Sequence, residues 1–415
     1  MLCHARPMAI DVSALSAERL EQLEEERLDL LDAELHLDPY ATYAWLRANR
    51  PVCWDPINEL WGVSRYDDVV DIERRKDTFI SSDQNKGGYR PNLPADPALI
   101  GLDDPEHYER RSLVARRFTP RAAANWEDEA RRVVNELLDG VATGGGTAEI
   151  IDQLAAPLPA MMIGKLLGFA PERWPDLKRW SETTIALGGG PRYNSTAGRE
   201  SIVEFATAAA QLAEEKRGCP ADDVMTVWTS STIGGCPMDA GMIFSDSLLL
   251  LDGGAETTRT VIARTLLNLI DRPDQWQLLK DGADMSVAVE EFIRYVTPIH
   301  NMCRVAATDV ELGGREIKAG QQLVLMYTSA NRDDAHFADP ERLDVTRNPN
   351  KHLSFGFGTH FCLGASLARM EIRVFFEELV RRVDSFRMTP GTTVEATGNA
   401  FVFGVDRAHL DFQFA

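Results

Sequence analysis

The chain has 415 residues, 44% of them hydrophobic and 26% charged, a balance that supports a sizeable buried core and excludes the disordered and collagen-like classes. Its 44 basic and 64 acidic residues give a formal net charge of -20, which opposes attraction to nucleic acid or anionic lipid. No apolar run approaches the roughly 20 residues that span a bilayer, and the start, with Cys3, His4 and Arg6, lacks the apolar core of a secretory signal, so a cytoplasmic enzyme without a membrane anchor is expected.

In chain order, the acidic stretch 18–34 reads as a solvated amphipathic helix. Short β-rich runs follow at 52–54 and 61–63, then a turn-rich segment, 81–100, with Gly87, Gly88, Pro91, Pro94 and Pro97. Apolar residues three and four apart predict helices over 105–118, 122–138, 202–216, 242–270, 287–296 and 365–383. Loops are expected at 186–195 and 331–351. Strands are expected at 305–312, at 321–326 and in the tail, 401–414, the first broken by Gly313 and Gly314. The sum is a mainly α protein with small β-sheets, no fixed-period repeat and no linker, hence one large domain. Loops this long inside a compact fold usually carry function.

Four segments carry chemistry. Asp104-Pro105-Glu106-His107 opens a helix in which Asp104 suits the N-cap and Pro105 the first turn. His107 and Arg111 share a face there, and Arg110 beside them reads as solvated or facing other acids. Leu248 to Leu251 leads into Asp252-Gly253-Gly254-Ala255-Glu256-Thr257-Thr258. Paired glycines inside a helix cost about 1 kcal/mol each relative to alanine, so something must approach the backbone there or the helix must open. Glu291 and Arg294 put a carboxylate and a guanidinium on one helix face, by itself a commonplace pattern. In Leu353-Ser-Phe-Gly-Phe-Gly-Thr-His-Phe-Cys-Leu-Gly364, glycines bracket a cysteine and let the backbone loop tightly around it, close to a flat ligand. The helix that follows sets its amino-terminal amides beside Cys362, which stabilises a thiolate and lowers its pKa, as suits a metal ligand or a nucleophile. A buried cysteine before a helix is the plain alternative. The other cysteines, Cys53, Cys219, Cys236 and Cys303 among them, form no CxxC pair.

The run Phe355-Gly356-x-Gly358-x-His360-x-Cys362-Leu363-Gly364 resembles the heme-binding loop of the cytochrome P-450 monooxygenases. The resemblance implies heme b (iron protoporphyrin IX) with Cys362 as the axial thiolate of its iron, favouring O-O cleavage, and O2 as co-substrate. It also implies the cytochrome P-450 fold, a single triangular heme-enclosing domain over 38–415, preceded by a partly helical N-terminal extension, 1–37. Phe355, Gly358 and Gly364 would shape the cofactor loop, and His107, Arg111, Arg304 and His360 would contact the heme propionates. Glu291 and Arg294, completed by Arg342 of Pro340-Glu341-Arg342, would hold the heme-side scaffold. In the central helix, a local widening would admit oxygen. Thr257 would hold bound oxygen and a water, and Glu256, where many family members carry aspartate, would relay protons from solvent.

No flavin or iron-sulfur segment is attached. The resemblance therefore implies electrons from a ferredoxin and ferredoxin reductase, with NAD(P)H used only indirectly, docking near Arg116, Arg117, Lys351 or His352 of a monomer. The implied substrate pocket includes Leu249, Gly253, Ile299, Phe401 and Val402, with His300 and Asn301 either orienting a polar end of the ligand or solvated in a turn. The stretches 301–305, 347–364 and 401–404 look like actinobacterial sterol side-chain hydroxylases, which points to a sterol or terpenoid. The runner-up is a natural-product tailoring hydroxylase. A peroxygenase or a non-catalytic heme-binding protein are further alternatives, and the Glu256-Thr257 pair argues against the peroxygenase.

Overall fold

One unbroken helix, Ala240–Ile270, forms the axis of the protein. Asp239 caps it by accepting the Met242 amide, and its apolar residues are buried on most sides, as expected of a central helix. Helices Pro157–Leu167, Trp174–Ile185, Met285–Val296 and Ala365–Arg382 pack directly on it. The largest hydrophobic cluster lies among them and includes Ile163, Leu251, Ile262, Phe292 and Phe375. The computed structural model describes residues 15–83 and 88–415. Cys3, His4, Arg6 and Gly87, singled out above, lie outside the described residues.

The six expected helices are present with shifted ends. The stretch 105–118 becomes Glu106–Val114 and a 3-10 turn, Ala115–Phe118, and 122–138 breaks into Pro120–Ala124 and Glu127–Thr143. Asp104 does not cap the first of these. Pro105 takes the cap position, and the Asp104 carboxylate meets His107 Nδ1 at 3.3 Å. Pro157–Leu167 escapes periodicity because it is buried on nearly every side.

The sheets are small and lie beside the helices. The largest has the order Val52–Asp55, Leu60–Val63, Gln322–Met326, Asn301–Ala306, Phe79–Ile80. Gln322–Met326 runs parallel to Leu60–Val63 and antiparallel to Asn301–Ala306. The strand expected at 305–312 therefore begins earlier. Residues 310–312 belong to a separate hairpin that turns at Gly313 and Gly314, both at positive φ.

Packing corrects one reading and decides another. The stretch 18–34 is not one solvated helix: helix is confined to Ala17–Glu24, and Leu28, Leu30, Leu31 and Leu35 bury themselves against Tyr43, Leu60 and Met326. Burial of these leucines outweighs the preference of the flanking charges for one solvated helix, and the Asp55 carboxylate fixes the turn by accepting the Leu30 amide at 2.8 Å. Of the two readings of Arg110, the structure gives the second, a side chain facing an acid. It is buried, paired with both carboxylate oxygens of Asp246 (2.6 and 3.1 Å) and bonded to the Pro97 carbonyl, tying the loop before it to the central helix. Among the described residues, no helix is long and apolar enough to cross a membrane.

Candidate active site

The cysteine loop closes on itself through the Cys362 amide, which donates to the Phe355 carbonyl at 2.8 Å. Gly356 and Gly358 sit at φ of +68° and +70°, and a Cβ on Gly358 would meet the Glu73 carbonyl oxygen at 2.6 Å. Glycine is thus required at 358 by both conformation and space. The helix Ala365–Arg382 starts just beyond, and the Gly364 and Ala365 amides reach the Cys362 sulfur. The expected lowering of the Cys362 pKa is reversed. Burial raises it, and the two amides with the Arg111 and Arg369 charges offset this only in part. A metal ion bound to the sulfur would supply the positive charge that favours the thiolate.

Above the sulfur, a cavity of about 450 Å³ collects Arg111, Arg304, Phe355, His360, Cys362 and Gly364 on its wall. His107 is buried behind His360, ring centroids 4.3 Å apart. His107 Nε2 and His360 Nδ1 are buried without partners, and burial with nearby positive charge pushes the His360 pKa down to about 2. Arg111 donates to the Phe361 carbonyl at 2.6 Å. Two guanidinium groups and two imidazoles with spare donors beside a cavity cysteine fit an anionic, flat, metal-centred cofactor such as heme.

One member of this cluster left no mark in the sequence. Glu73, on helix Tyr66–Arg74, accepts from Arg304 at 3.0 Å, from the Tyr327 hydroxyl at 2.5 Å and from the Phe357 amide at 2.6 Å. It joins helix, sheet and cysteine loop across more than 200 residues of chain, so no local pattern could have revealed it.

The Glu291 and Arg294 side chains are fully buried and paired twice, at 2.7 and 2.8 Å. The arginine that completes the group is Arg347, 3.1 Å from Glu291, and not Arg342. Arg342 is exposed and contributes only its carbonyl, 3.3 Å from Arg294. The meander turns back after residue 342, and it is the next arginine whose side chain faces inward. Arg294 also binds the Asn331 and Pro340 carbonyls, which ties the helix to the segment leading into the cysteine loop.

The central helix remains helical through Gly253 and Gly254, so the expected widening is absent. Space arises instead from missing side chains: a Cβ on Gly253 would meet nothing within 4 Å, whereas one on Gly254 would collide with Ile163 at 2.7 Å. Thr257 lines the cavity, its hydroxyl donating to the Gly253 carbonyl at 2.7 Å. Glu256 points away, into a buried chain of charges. It pairs with Arg259 at 2.5 Å, Arg259 with Glu182, Glu182 with Lys178 at 2.8 Å, and Lys178 with the largely exposed Asp152 at 2.8 Å. Burial pushes the Glu256 pKa up to about 7 against the opposing pull of Arg259.

Leu249, Gly253, Ile299 and Phe401 line the cavity as expected, and Val402 does not. Ile299 and Val402 form an isolated β-bridge, and the alternation of extended backbone turns Val402 away once Phe401 faces in. His300 and Asn301 are neither ligand-facing nor solvated. His300 bonds Thr328 at 2.9 Å between the rings of His36 and Phe403, and Asn301 bonds the Ala400 carbonyl at 2.7 Å. On the outer face, Arg116 and Lys351 are exposed and Arg117 pairs with Asp222. His352 is buried against Glu290 and presents nothing to a partner.

A family model described as cytochrome P-450 matches residues 272–411. A steroid C26-monooxygenase of Mycobacterium tuberculosis is 36% identical over 396 residues, covering 93% of this chain and 97% of that protein. Linalool 8-monooxygenase of Pseudomonas putida is 32% identical over 382 residues, covering 88% and 94%. The solved structure of CYP109E1 from Bacillus megaterium in complex with testosterone superposes with a TM-score of 0.83 at 32% identity, covering 92% of this chain and 99% of that one. Likeness of this extent, over a cysteine loop of this geometry, shows that the chain belongs to the cytochrome P-450 family and is a monooxygenase that uses heme iron and O2.

Proposed function

We propose that this enzyme inserts one oxygen atom of O2 into a C–H bond of a sterol or terpenoid, with electrons delivered by a ferredoxin and its reductase. The observation that carries the reading is one continuous cavity reaching from the Cys362 sulfur past the Thr257 hydroxyl to an apolar wall that includes Leu249, Ile299 and Phe401. Cys362 would hold the heme iron, and the heme supplies the reductive activation of O2. Arg111, Arg304, His107 and His360 would bind the propionates, with Glu73 holding Arg304 in place. Thr257 presents a hydroxyl to the cavity and holds a proton where oxygen must enter, and the line Glu256-Arg259-Glu182-Lys178-Asp152 connects the neighbouring residue to solvent. A carboxyl with a pKa near 7 both holds and gives up a proton at neutral pH. The names of the steroid and linalool relatives support the substrate class.

The test is a titration of the purified holoenzyme with sterols, terpenoids, fatty acids and macrolides, following the ferric spin state. A high-spin shift with sterols or terpenoids is expected, and shifts confined to the other classes would discard the substrate reading. Thr257→Ala is expected to divert reducing equivalents from product into hydrogen peroxide, measured as peroxide formed per electron pair consumed. Unchanged coupling would remove Thr257 from the proton path.

A further inference from the structure

Four leucines, Leu248 to Leu251, bring the central helix to its cavity face, and the next residue is an acid, Asp252. It lines the cavity together with Thr184, and the mechanism above makes no use of it. Its Oδ1 lies 2.7 Å from the Thr184 hydroxyl, and that hydroxyl lies 2.7 Å from the Trp180 carbonyl. A hydroxyl has one proton and a carbonyl can only accept. The Thr184 hydroxyl therefore serves Asp252 Oδ1 or the Trp180 carbonyl, one at a time, and Oδ1 is the carboxyl oxygen it engages. Enclosure by protein pushes the Asp252 carboxyl well above the usual carboxylate range, against the opposing pulls of the Thr184 hydroxyl and of Arg90, which pairs with Asp96 at 2.9 Å and keeps a buried Nε without a partner. Asp252 is thus held through Oδ1 by the Thr184 hydroxyl. Its Oδ2 has free lone pairs and no hydrogen-bond partner among the described residues. An acceptor left unsatisfied on an apolar wall costs free energy unless a ligand donor meets it.

We propose that Asp252 is a specificity-determining residue, whose Oδ2 accepts a hydrogen bond from a hydroxyl group on an otherwise apolar substrate. The inference deepens the proposed substrate class and rests on Thr257 marking the reacting end of the cavity. Asp252 precedes Thr257 by five residues, about 7.5 Å along a helix rising 1.5 Å per residue. A hydroxyl anchored there sits near the reacting end, so the favoured substrate carries its hydroxyl within a few bonds of the attacked carbon. A terpene alcohol or a sterol hydroxylated in its side chain meets that demand. A sterol whose only hydroxyl lies at the far end of its ring system does not.

The experiment uses matched pairs titrated into the ferric holoenzyme: linalool and its methyl ether, a side-chain-hydroxylated sterol and its methyl ether, and a macrolide and its O-methylated form. Wild type, Asp252→Asn and Asp252→Leu are compared, with the carbonyl difference spectrum as the control for an intact site. In whichever class shifts the spin state, wild type should bind the alcohol roughly tenfold or more tightly than the ether, as one satisfied buried hydrogen bond implies. Asp252→Asn should keep that preference, since its amide nitrogen can donate to the Thr184 hydroxyl oxygen while that hydroxyl donates to Trp180, which leaves the side-chain carbonyl oxygen as an acceptor facing the cavity. Asp252→Leu should lose it. Equal affinity for alcohol and ether in wild type, or a preference kept in Asp252→Leu, overturns the anchor. Shifts by the macrolide pair alone would discard the sterol and terpenoid reading, and the alcohol-to-ether ratio would still decide the role of Asp252.

Discussion

Replacement of Cys362 by alanine is expected to abolish both monooxygenase turnover and the thiolate-type spectrum of the reduced, carbon monoxide-treated protein. Among the described residues, Cys362 is the sole cysteine on the cavity wall. Cys53 and Cys303 are buried in the five-stranded sheet, and Cys219 and Cys236 are on the outer surface, so among the described residues no other thiolate can substitute. The fold itself should tolerate the change. Alanine fits the loop, the Phe355 carbonyl still receives the residue 362 amide, and the loss of one small side chain costs on the order of 1 kcal/mol. Circular dichroism and a denaturation curve close to those of heme-free wild type would accompany the spectral loss. A thiolate-type spectrum that survived in Cys362→Ala would refute the ligand assignment.

The second large effect is expected at a residue that touches neither substrate nor cofactor. Glu291 receives two bonds from Arg294, one from Arg347 at 3.1 Å, one from Asn350 at 3.0 Å and one from the Asp344 amide at 2.9 Å. Glu291→Ala would leave the fully buried Arg294 without its counter-charge, and breaking a buried pair in this way costs about 3–5 kcal/mol. Against a total stability of roughly 5–15 kcal/mol, that is enough to lower the denaturation midpoint sharply and to cost heme retention. Glu291→Gln keeps the shape and some of the bonds and should fall between. Arg347→Ala should destabilise, whereas Arg342→Ala, which removes an exposed side chain and leaves the bonding carbonyl in place, should stay within about 0.5 kcal/mol of wild type. Urea denaturation of the four variants checks this order. A larger loss from Arg342→Ala than from Arg347→Ala would restore the pairing that sequence position suggested.

Arg342 and Arg347 also illustrate where linear reading stops. Both arginines lie in a segment with no periodicity, so which one turns inward depends on how the backbone folds back between residues 339 and 350. Val402 fails for a related reason, since facing the cavity depends on strand alternation fixed by its bridge to Ile299. Arg110 and Arg111 are adjacent, and helix geometry sends one to Asp246 and the other to the cysteine loop. Glu73 and the chain from Glu256 to Asp152 join residues from separate helices and loops, and the charge pattern of any one element says nothing of them.

What the sequence by itself determined is the set of properties carried by neighbouring residues. These are the helical period of the major elements, the glycines that allow the tight loop at Cys362, the hydroxyl and acid placed side by side at 257 and 256, and the i, i+3 pair at 291 and 294. Each follows from local backbone geometry, which repeats every few residues. Tertiary structure alone decided which charges are paired, whether the thiol is stabilised or suppressed, and which side chains face the cavity. Those depend on desolvation and on contacts across hundreds of residues. At Cys362 burial outweighs two helix amides and two arginines, and at Asp252 enclosure beside Thr184 turns an acid that looks like a break in an apolar run into an acceptor on the cavity wall.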